Sequence, residues 1–367
     1  MRYLLAVLFA SAALGQSGPR VQISHTTEGL RGVSAVSRDV AWASGTRGTY
    51  LRTVDGGRTW TPAQVPDAGA LDFRAVVAFS AGEAFLMSAG PGDQSRIYHT
   101  SDGGTHWQSQ FTNANPKGFF DSMVFWDPKH GVVVGDPIPD ESGLLKFEVL
   151  LTEDGLNWRA LAPSQLPAAM EGEGAFAASN TCIAIVPSAS DSNIWFATGG
   201  KIARVFHSPD RGKSWQVVET PMVHGPESAG IFSIAFRDAM HGVIAGGDYK
   251  HPNDDGPNLA FTEDGGKTWT LSPLHPLAYF SAVVYDRSVN ESAIREAAVE
   301  KKMRVKAIPP QRLFIVGQDF VFDFRPPNNP RRINGKKKFG VTFNAASGYS
   351  EGGALVVGPK GAIAFIP

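Results

Sequence analysis

Short apolar runs bounded by turn residues succeed one another along most of the chain. At five places an alternating run (RGVSAVS, FRAVVAF, DSMVFWD, GAFAASN, FSIAFRD) is followed by a second apolar run ending in or near glycine (VAWASG, AFLMSAG, GVVVGD, IWFATGG, GVIAGGD). A third short run follows, then an octet of the type Thr-x-Asp-Gly-Gly-x-Thr-Trp. The octets are TVDGGRTW at 53–60, TSDGGTHW at 100–107, the shortened TEDGLNW at 152–158, SPDRGKSW at 208–215 and TEDGGKTW at 262–269. Runs of this length and alternation, punctuated by Gly, Asp and Asn, are strands rather than helices. No β-α-β alternation appears.

The octet aspartates, Asp55, Asp102, Asp154, Asp210 and Asp264, are spaced by 47, 52, 56 and 54 residues. A repeat of that length predicts one supersecondary unit per period, stacked or arranged radially. Two more units lack the octet: YFSAVVYD (279–286) with RLFIVGQDFVFDF (312–324), and KFGVTFNAAS (338–347) with GALVVGPKGAIAFIP (353–367). The seventh unit ends after its third strand, while PRVQISHTT (19–27) has no unit of its own. Supplying the missing outer strand from the N-terminus would close a ring and remove free sheet edges. The expected fold is all-β: a seven-bladed β-propeller of four-stranded antiparallel blades, one domain over 16–367, closed by an N-terminal strand.

In that frame the octet is a structural turn between the third and fourth strands. Glycine there permits positive φ, the aspartate accepts backbone N–H groups, and Trp60, Trp107, Trp158, Trp215 and Trp269 pack inward from the periphery. Removing Trp269 should therefore cost stability rather than activity. Unit six departs from the pattern. SVNESAIREAAVEKKMRVK (288–306) opens with Ser288-x-x-Glu291, a capping-box spacing, and predicts a short helical insertion. RPPNNPRRINGKKK (325–338) stands where a sixth octet is expected and reads as a mobile basic loop. Its Arg325, Arg331, Arg332, Lys336, Lys337 and Lys338 are candidate docking residues for an anionic protein or polymer surface.

Charge alters little else. The 34 basic and 35 acidic residues nearly cancel, which gives no general pull toward nucleic acid or anionic lipid, and the basic loop has no interleaved aromatics to favour nucleic acid. The first residues, MRYLLAVLFASAALGQSG, read as a secretory signal over 1–15: a basic Arg2, an apolar stretch, then small residues. A secreted or periplasmic protein is expected, without a membrane span in the mature chain and monomeric. The one cysteine, Cys182, sits in an apolar run and reads as a buried, inert thiol.

Familiar chemical signatures fail on context. GEGAFA (172–177) resembles a dinucleotide fingerprint but is followed by a strand-type run, whereas the fingerprint must open a helix. GYSEG (348–352) matches a nucleophile elbow around Ser350, but neither Asp nor His follows. The nine histidines show no zinc spacing, and NDDGPN (253–258) lacks the ligand alternation of a calcium loop. No metal, cofactor or catalytic residue is assigned. What remains is a set of polar residues at the ends of inner strands, Asp136, Glu171, Glu173, Arg204, Asp248, Tyr249 and Asp319, which form a candidate ligand-binding group in the axial funnel, with Arg204 paired to Asp248 or Glu173. A glycan-active hydrolase or lyase of sialidase type is the alternative, with Arg204, Tyr249 and Glu173 in its funnel.

The octets are Asp boxes, or BNR repeats. Together with FFDSMVFWDPKHGVVVGDP (119–137), EGEGAFAASN (171–180), ATGGKIARVFHSPD (197–210) and GIFSIAFRDAMHGVIAGGDY (230–249), they make the chain resemble the photosystem II assembly-factor-like family of seven-bladed propellers. The resemblance covers nearly the whole chain and is to a bacterial branch often labelled oxidoreductase. It implies an exported, non-catalytic propeller that binds a protein partner as an assembly or stability factor, since the photosynthetic members bind membrane-protein assembly intermediates and are not enzymes. Unit six, with its long insertion, and the lack of a dense arginine patch set this sequence apart from them.

Overall fold

The computed structural model describes residues 18–186, 192–274, 278–287, 311–324, 331–334 and 340–367. The predicted 288–306 helix, the 1–15 leader, and Arg325, Lys336, Lys337 and Lys338 lie outside them. Among these residues there are seven antiparallel sheets, and in all but one, to which the N-terminal strand is added, the strands pair in chain order. Their first strands are Leu30–Ala35, Asp72–Ala78, Phe120–Asp127, Ile183–Ala184, Ala229–Phe236, Phe280–Tyr285 and Ala345–Gly348. Each packs against the first strand of the next blade, and the seventh returns to the first. This closed ring of inner strands is the propeller axis. The core lies between blades: each of seven apolar clusters joins residues of two neighbours, as where Leu30, Ala43 and Leu51 meet Leu355, Val357 and Ile363.

The expected closure is present. Arg20–Gln22 pairs antiparallel with Ala362–Ile366, the third strand of blade seven. Two features differ from the expectation. The blade-five sheet carries two added two-residue strands, Gly199–Gly200 and Glu173–Gly174, on its inner edge, making six. That contact needs bare backbones: a Cβ on Gly199 would lie 2.7 Å from the Gly230 Cα, and Gly230 itself sits at φ +148°. The basic stretch of blade six is not all loop. Arg331–Asn334 is the outer strand of that blade, paired with Phe320–Phe324, and the Arg332 guanidinium lies 4.4 Å from the centre of the Phe320 ring. The partner strand sets this pairing, overriding the low strand propensity of a basic run.

The Asp boxes turn between third and fourth strands, as the spacing implies. In the first, Thr53 Oγ1 donates to Asp55 Oδ1 (2.9 Å) and accepts from Gly57 N (2.9 Å), while Thr59 N donates to Asp55 Oδ1 (2.9 Å). The same net recurs around Asp264, with Gly266 and Thr268. Such bonds favour the ionised carboxylate: the His106 N–H and ring hold Asp102 at about 2, and the Thr268 bonds hold Asp264 at about 2 against the opposing effect of burial. The boxes also bind their neighbours. Gly56 O accepts from Gln22, Gly104 O from Tyr50, Gly155 O from Gln110 and Gly265 O from Trp195, each donor belonging to the preceding blade. The tryptophans follow suit: Trp107 packs edge-on against Trp42 and Tyr50 of blade one. They seal inter-blade seams rather than the interior of their own blade.

Candidate functional site

Chain direction defines two faces. The boxes and the turns after the inner strands share the lower face, joined by bonds such as Gly56 N to Asp39 O (3.0 Å) and Gly265 N to Met240 O (2.8 Å). The segments leading into inner strands form the upper face.

Five inner strands break register within their first few residues, between Leu30 and Gly32, Phe73 and Ala75, Phe120 and Ser122, Ile231 and Ser233, and Phe280 and Ala282. A bulge lets two apolar residues three apart both face the core, and it re-aims the residue between them. The freed residues are Arg31, Arg74, Asp121, Phe232 and Ser281. Contacts between blades that are not neighbours place this level at the axis. Arg74 of blade two donates to Ala177 O, which leads into blade four (3.1 Å), and Ser179 donates to Ser281 O of blade six (2.7 Å).

The upper mouth is built from these residues. Asp72 takes Arg74 at 2.9 Å and Arg31 at 3.9 Å, and all three side chains remain partly accessible. Arg31 also lowers the otherwise raised hydroxyl pKa of Tyr279, which burial dominates. Phe176 stacks on Phe232 with ring centres 3.8 Å apart, and Phe232 meets Tyr279 (4.9 Å) and Tyr249 (6.1 Å) edge-on. Tyr249 is 50% exposed. Two arginines on one side and an aromatic wall on the other thus frame the axis, and Asp72 Oδ1 and Asp121 Oδ2 are buried without hydrogen-bond partners. Burial and the neighbouring Asp136 hold the Asp121 carboxyl well above its usual range.

The sequence-predicted funnel residues all lie on the upper face, but the structure divides them. Glu173 and Arg204 form a buried ion pair, with Nε to Oε1 at 2.9 Å and a second bond from Nη2 to Oε2. The expected alternative partner, Asp248, is held instead by His251 (2.9 Å), and the bond from that ring helps hold it at about 2 against the opposing effect of burial. Glu171 is exposed and lies 3.9 Å from Lys201. Asp319 sits in the tight turn between the second and third strands of blade six. Asp136 accepts from Ala175 N (3.0 Å). In a sialidase-type arrangement Arg204 would hold a substrate carboxylate, but here Glu173 and Ala168 O occupy its guanidinium. The GEGAFA segment holds the short strand Glu173–Gly174, and no helix follows it among the described residues. Among those residues no three His, Cys, Asp or Glu side chains form a metal-binding group, and no helix is long and apolar enough to cross a membrane. Cys182 is buried, and burial raises its thiol pKa.

Sequence reasoning missed Arg31, Asp72, Arg74, Asp121, Phe176, Phe232 and Tyr279. The available signal was an i, i+3 apolar spacing inside a strand (Leu30 and Val33, Phe73 and Val76, Phe120 and Met123), which marks the bulge.

Burial pushes Asp136 up to about 6 from the usual 3.8, against the opposing Ala175 N–H. Folding therefore binds a proton here. The contribution to stability is present below about pH 4 and is lost as pH rises through about 6. Asp136→Asn keeps the acceptor for Ala175 and removes the titration. It is expected to flatten the fall in melting temperature between pH 4 and 7, gaining up to about 3 kcal/mol at pH 7. Identical pH profiles for variant and parent would refute the assignment.

Residues 19–116 match a family model described as photosynthesis system II assembly factor YCF48. No curated protein matches the sequence. Among solved structures, YCF48 bound to a D1 peptide aligns over 96% of this chain and 98% of its own at 16% identity, with a TM-score of 0.63. YCF48 from Cyanidioschyzon merolae aligns over 95% and 98% at 16% identity, with a TM-score of 0.42. The WD40 β-propeller domain of Doa1 aligns over 95% and 97% at 12% identity, with a TM-score of 0.59. Repeat, ring closure and family match together make this chain a seven-bladed β-propeller similar to the photosystem II assembly factors.

Proposed function

We propose that the chain is an exported, non-catalytic propeller that binds a protein partner and supports its assembly or stability, with the upper axial mouth as the docking face. The observation that carries this is the composition of that mouth. Arg31, Arg74, Tyr249 and Tyr279 surround an aromatic stack, and arginine and tyrosine are the residues enriched at protein-binding hot spots. Two acidic groups of the upper face are engaged in holding local structure: Glu173 by Arg204, Asp248 by His251. The similar YCF48 structure, described as bound to a D1 peptide, makes a peptide segment of a larger partner the favoured class of ligand. Export rests on the N-terminal leader pattern.

A photo-crosslinking residue at position 249 tests this in the native envelope. One dominant protein adduct is expected, with none when the crosslinker replaces Glu263 in a lower-face box. Tyr249→Ala should weaken capture of that partner at least tenfold, a hot-spot effect. Equal adducts from both positions, or none from position 249, would refute the upper-face assignment.

A further inference from the structure

The inner strand of blade four, Ile183–Ala184, has two residues, where five of the other six have six to eight. The residues before it cross the axis instead. Ala177 O accepts from Arg74 of blade two (3.1 Å), and Asn180 Oδ1 from Met123 N of blade three (2.7 Å). Ser179 donates to Ser281 O of blade six, and Thr181 Oγ1 accepts from Ser233 of blade five, both at 2.7 Å. Segment 176–181 is therefore a plug. Below it, the inner strands of all seven blades line a cavity of about 440 Å³, with Asn180 and Thr181 at its upper end. Above it, Phe176 belongs to the aromatic stack of the mouth.

Three carboxyl groups of blade three stand against the start of this plug. Phe120 and Glu148 both pair with Gly135, and bulges on either side of that pairing free Asp121 and Asp136. All three acids thus lie at one level of the blade. Asp121 is 1% exposed, and Asp136 and Glu148 are half-buried. Asp121 is faced by Asp136, Glu148, the Arg74 guanidinium and the Ala177 N–H, and the buried Cys182 thiol lies near it. Asp136 Oδ1 accepts from Ala175 N (3.0 Å), and Glu148 Oε2 from Asn113 Nδ2 (2.9 Å). None of the three forms an ion pair among the described residues, and Arg74 is already on Asp72 at 2.9 Å. Carboxyl groups gathered around one shared guanidinium cannot all ionise without cost, and burial adds to it. Lifting the plug gives up the Ala175 and Ala177 contacts but admits water to the carboxylates, which offsets that loss once they are charged.

We propose that segment 176–181 is a proton-controlled gate, which closes the upper end of the axis while Asp121 and Asp136 hold protons and lifts as they ionise, joining the mouth to the axial cavity. Opening releases protons. The closed form is therefore fully favoured below about pH 4 and loses ground as pH rises through about 6, where burial places Asp136. The gate would regulate access to the face assigned above to partner docking. It is a property of the free chain, so its test needs no partner and a failure of partner capture leaves its outcome unchanged.

Hydrogen exchange of the full chain, read by mass spectrometry at pH 5, 6 and 7 with the intrinsic rate at each pH divided out, is the measurement. The fragment 171–182 reports the gate, and the blade-seven strand Ala354–Gly358 is the reference. Opening of the gate fragment is expected to rise at least about tenfold from pH 5 to pH 7, with the reference unchanged. Asp121→Asn combined with Asp136→Asn should abolish the rise. Ser179→Ala removes the bond to Ser281 O and leaves the carboxyls, so it should raise opening at every pH and keep the slope. A flat profile in the parent chain would overturn the proposal. So would an equal rise in Ala354–Gly358, which would report unfolding of the whole ring, and neither result depends on a variant folding. A slope retained in the double asparagine variant would overturn it as well.

Discussion

Trp60→Ala is expected to destabilise the protein by about 3–5 kcal/mol, the range for truncating a buried large aromatic side chain. Trp60 is 1% exposed and lies in the core shared by blades one and seven. Its indole Nε1 donates to Gln22 Oε1 (2.8 Å), and Gln22 Nε2 donates to Gly56 O (3.2 Å). Gln22 belongs to the strand that closes the ring against Ala362–Ile366. The substitution therefore opens a cavity, deprives the half-buried Gln22 Oε1 of its indole donor and loosens the closing strand at once. Trp269→Ala should cost less. Trp269 is 9% exposed, and its indole nitrogen has no hydrogen-bond partner, so only packing is lost. Urea unfolding of the two variants checks this ranking. A cost below about 1 kcal/mol for Trp60→Ala, or a larger one for Trp269→Ala, would show that the boxes do not hold the inter-blade seams.

That seam explains what could be read from the sequence. The box recurs in the first five blades because each docks through it on its predecessor, so its period marks the length of one blade. The count left one outer strand missing in unit seven, and Arg20–Gln22 was the one strand without a unit. Local signals of this kind survive in a linear sequence because turn chemistry and alternation need only near neighbours. The mouth is different. Arg31, Arg74 and Asp121 meet because bulges in three strands point them at one axis, and Ala177 receives Arg74 from two blades away. Nothing within either segment encodes that meeting. The same limit applies to Arg204, for which two acidic partners on neighbouring loops were equally compatible with the sequence. Asp248 was taken by His251 three residues on, a local contact, and this left Glu173. The two short strands at 173–174 and 199–200 were missed because a two-residue pairing carries no alternation and depends on the close approach of Gly199 to Gly230.

Breaking the Glu173–Arg204 pair from one side is expected to cost about 3–5 kcal/mol, whereas removing both charges should cost much less. Glu173 accepts from Arg204 Nε and Nη2, from Thr198 Oγ1 (2.7 Å) and from Met170 N (2.8 Å), and its side chain is 0% exposed. Arg204 also donates to Ala168 O (3.0 Å) and lies over the Phe206 ring. Glu173→Leu leaves that guanidinium buried with a single carbonyl. Arg204→Met leaves a buried carboxylate with two donors. In the double variant Leu and Met fill similar volume with no charge to desolvate, so a large favourable coupling should appear in a double-mutant cycle measured by chemical denaturation. The pair also anchors the segment that leads to Ala175 and Ala177, which carry the bonds to Asp136 and Arg74. Single variants should therefore weaken partner capture at the upper mouth in proportion to lost stability, and the double variant should restore both. If Arg204→Met abolished capture with unfolding unchanged, the guanidinium would be a ligand contact and the pair would not be structural. The four acceptor contacts on Glu173 predict the first outcome, because a carboxylate so fully engaged has little capacity left for a ligand.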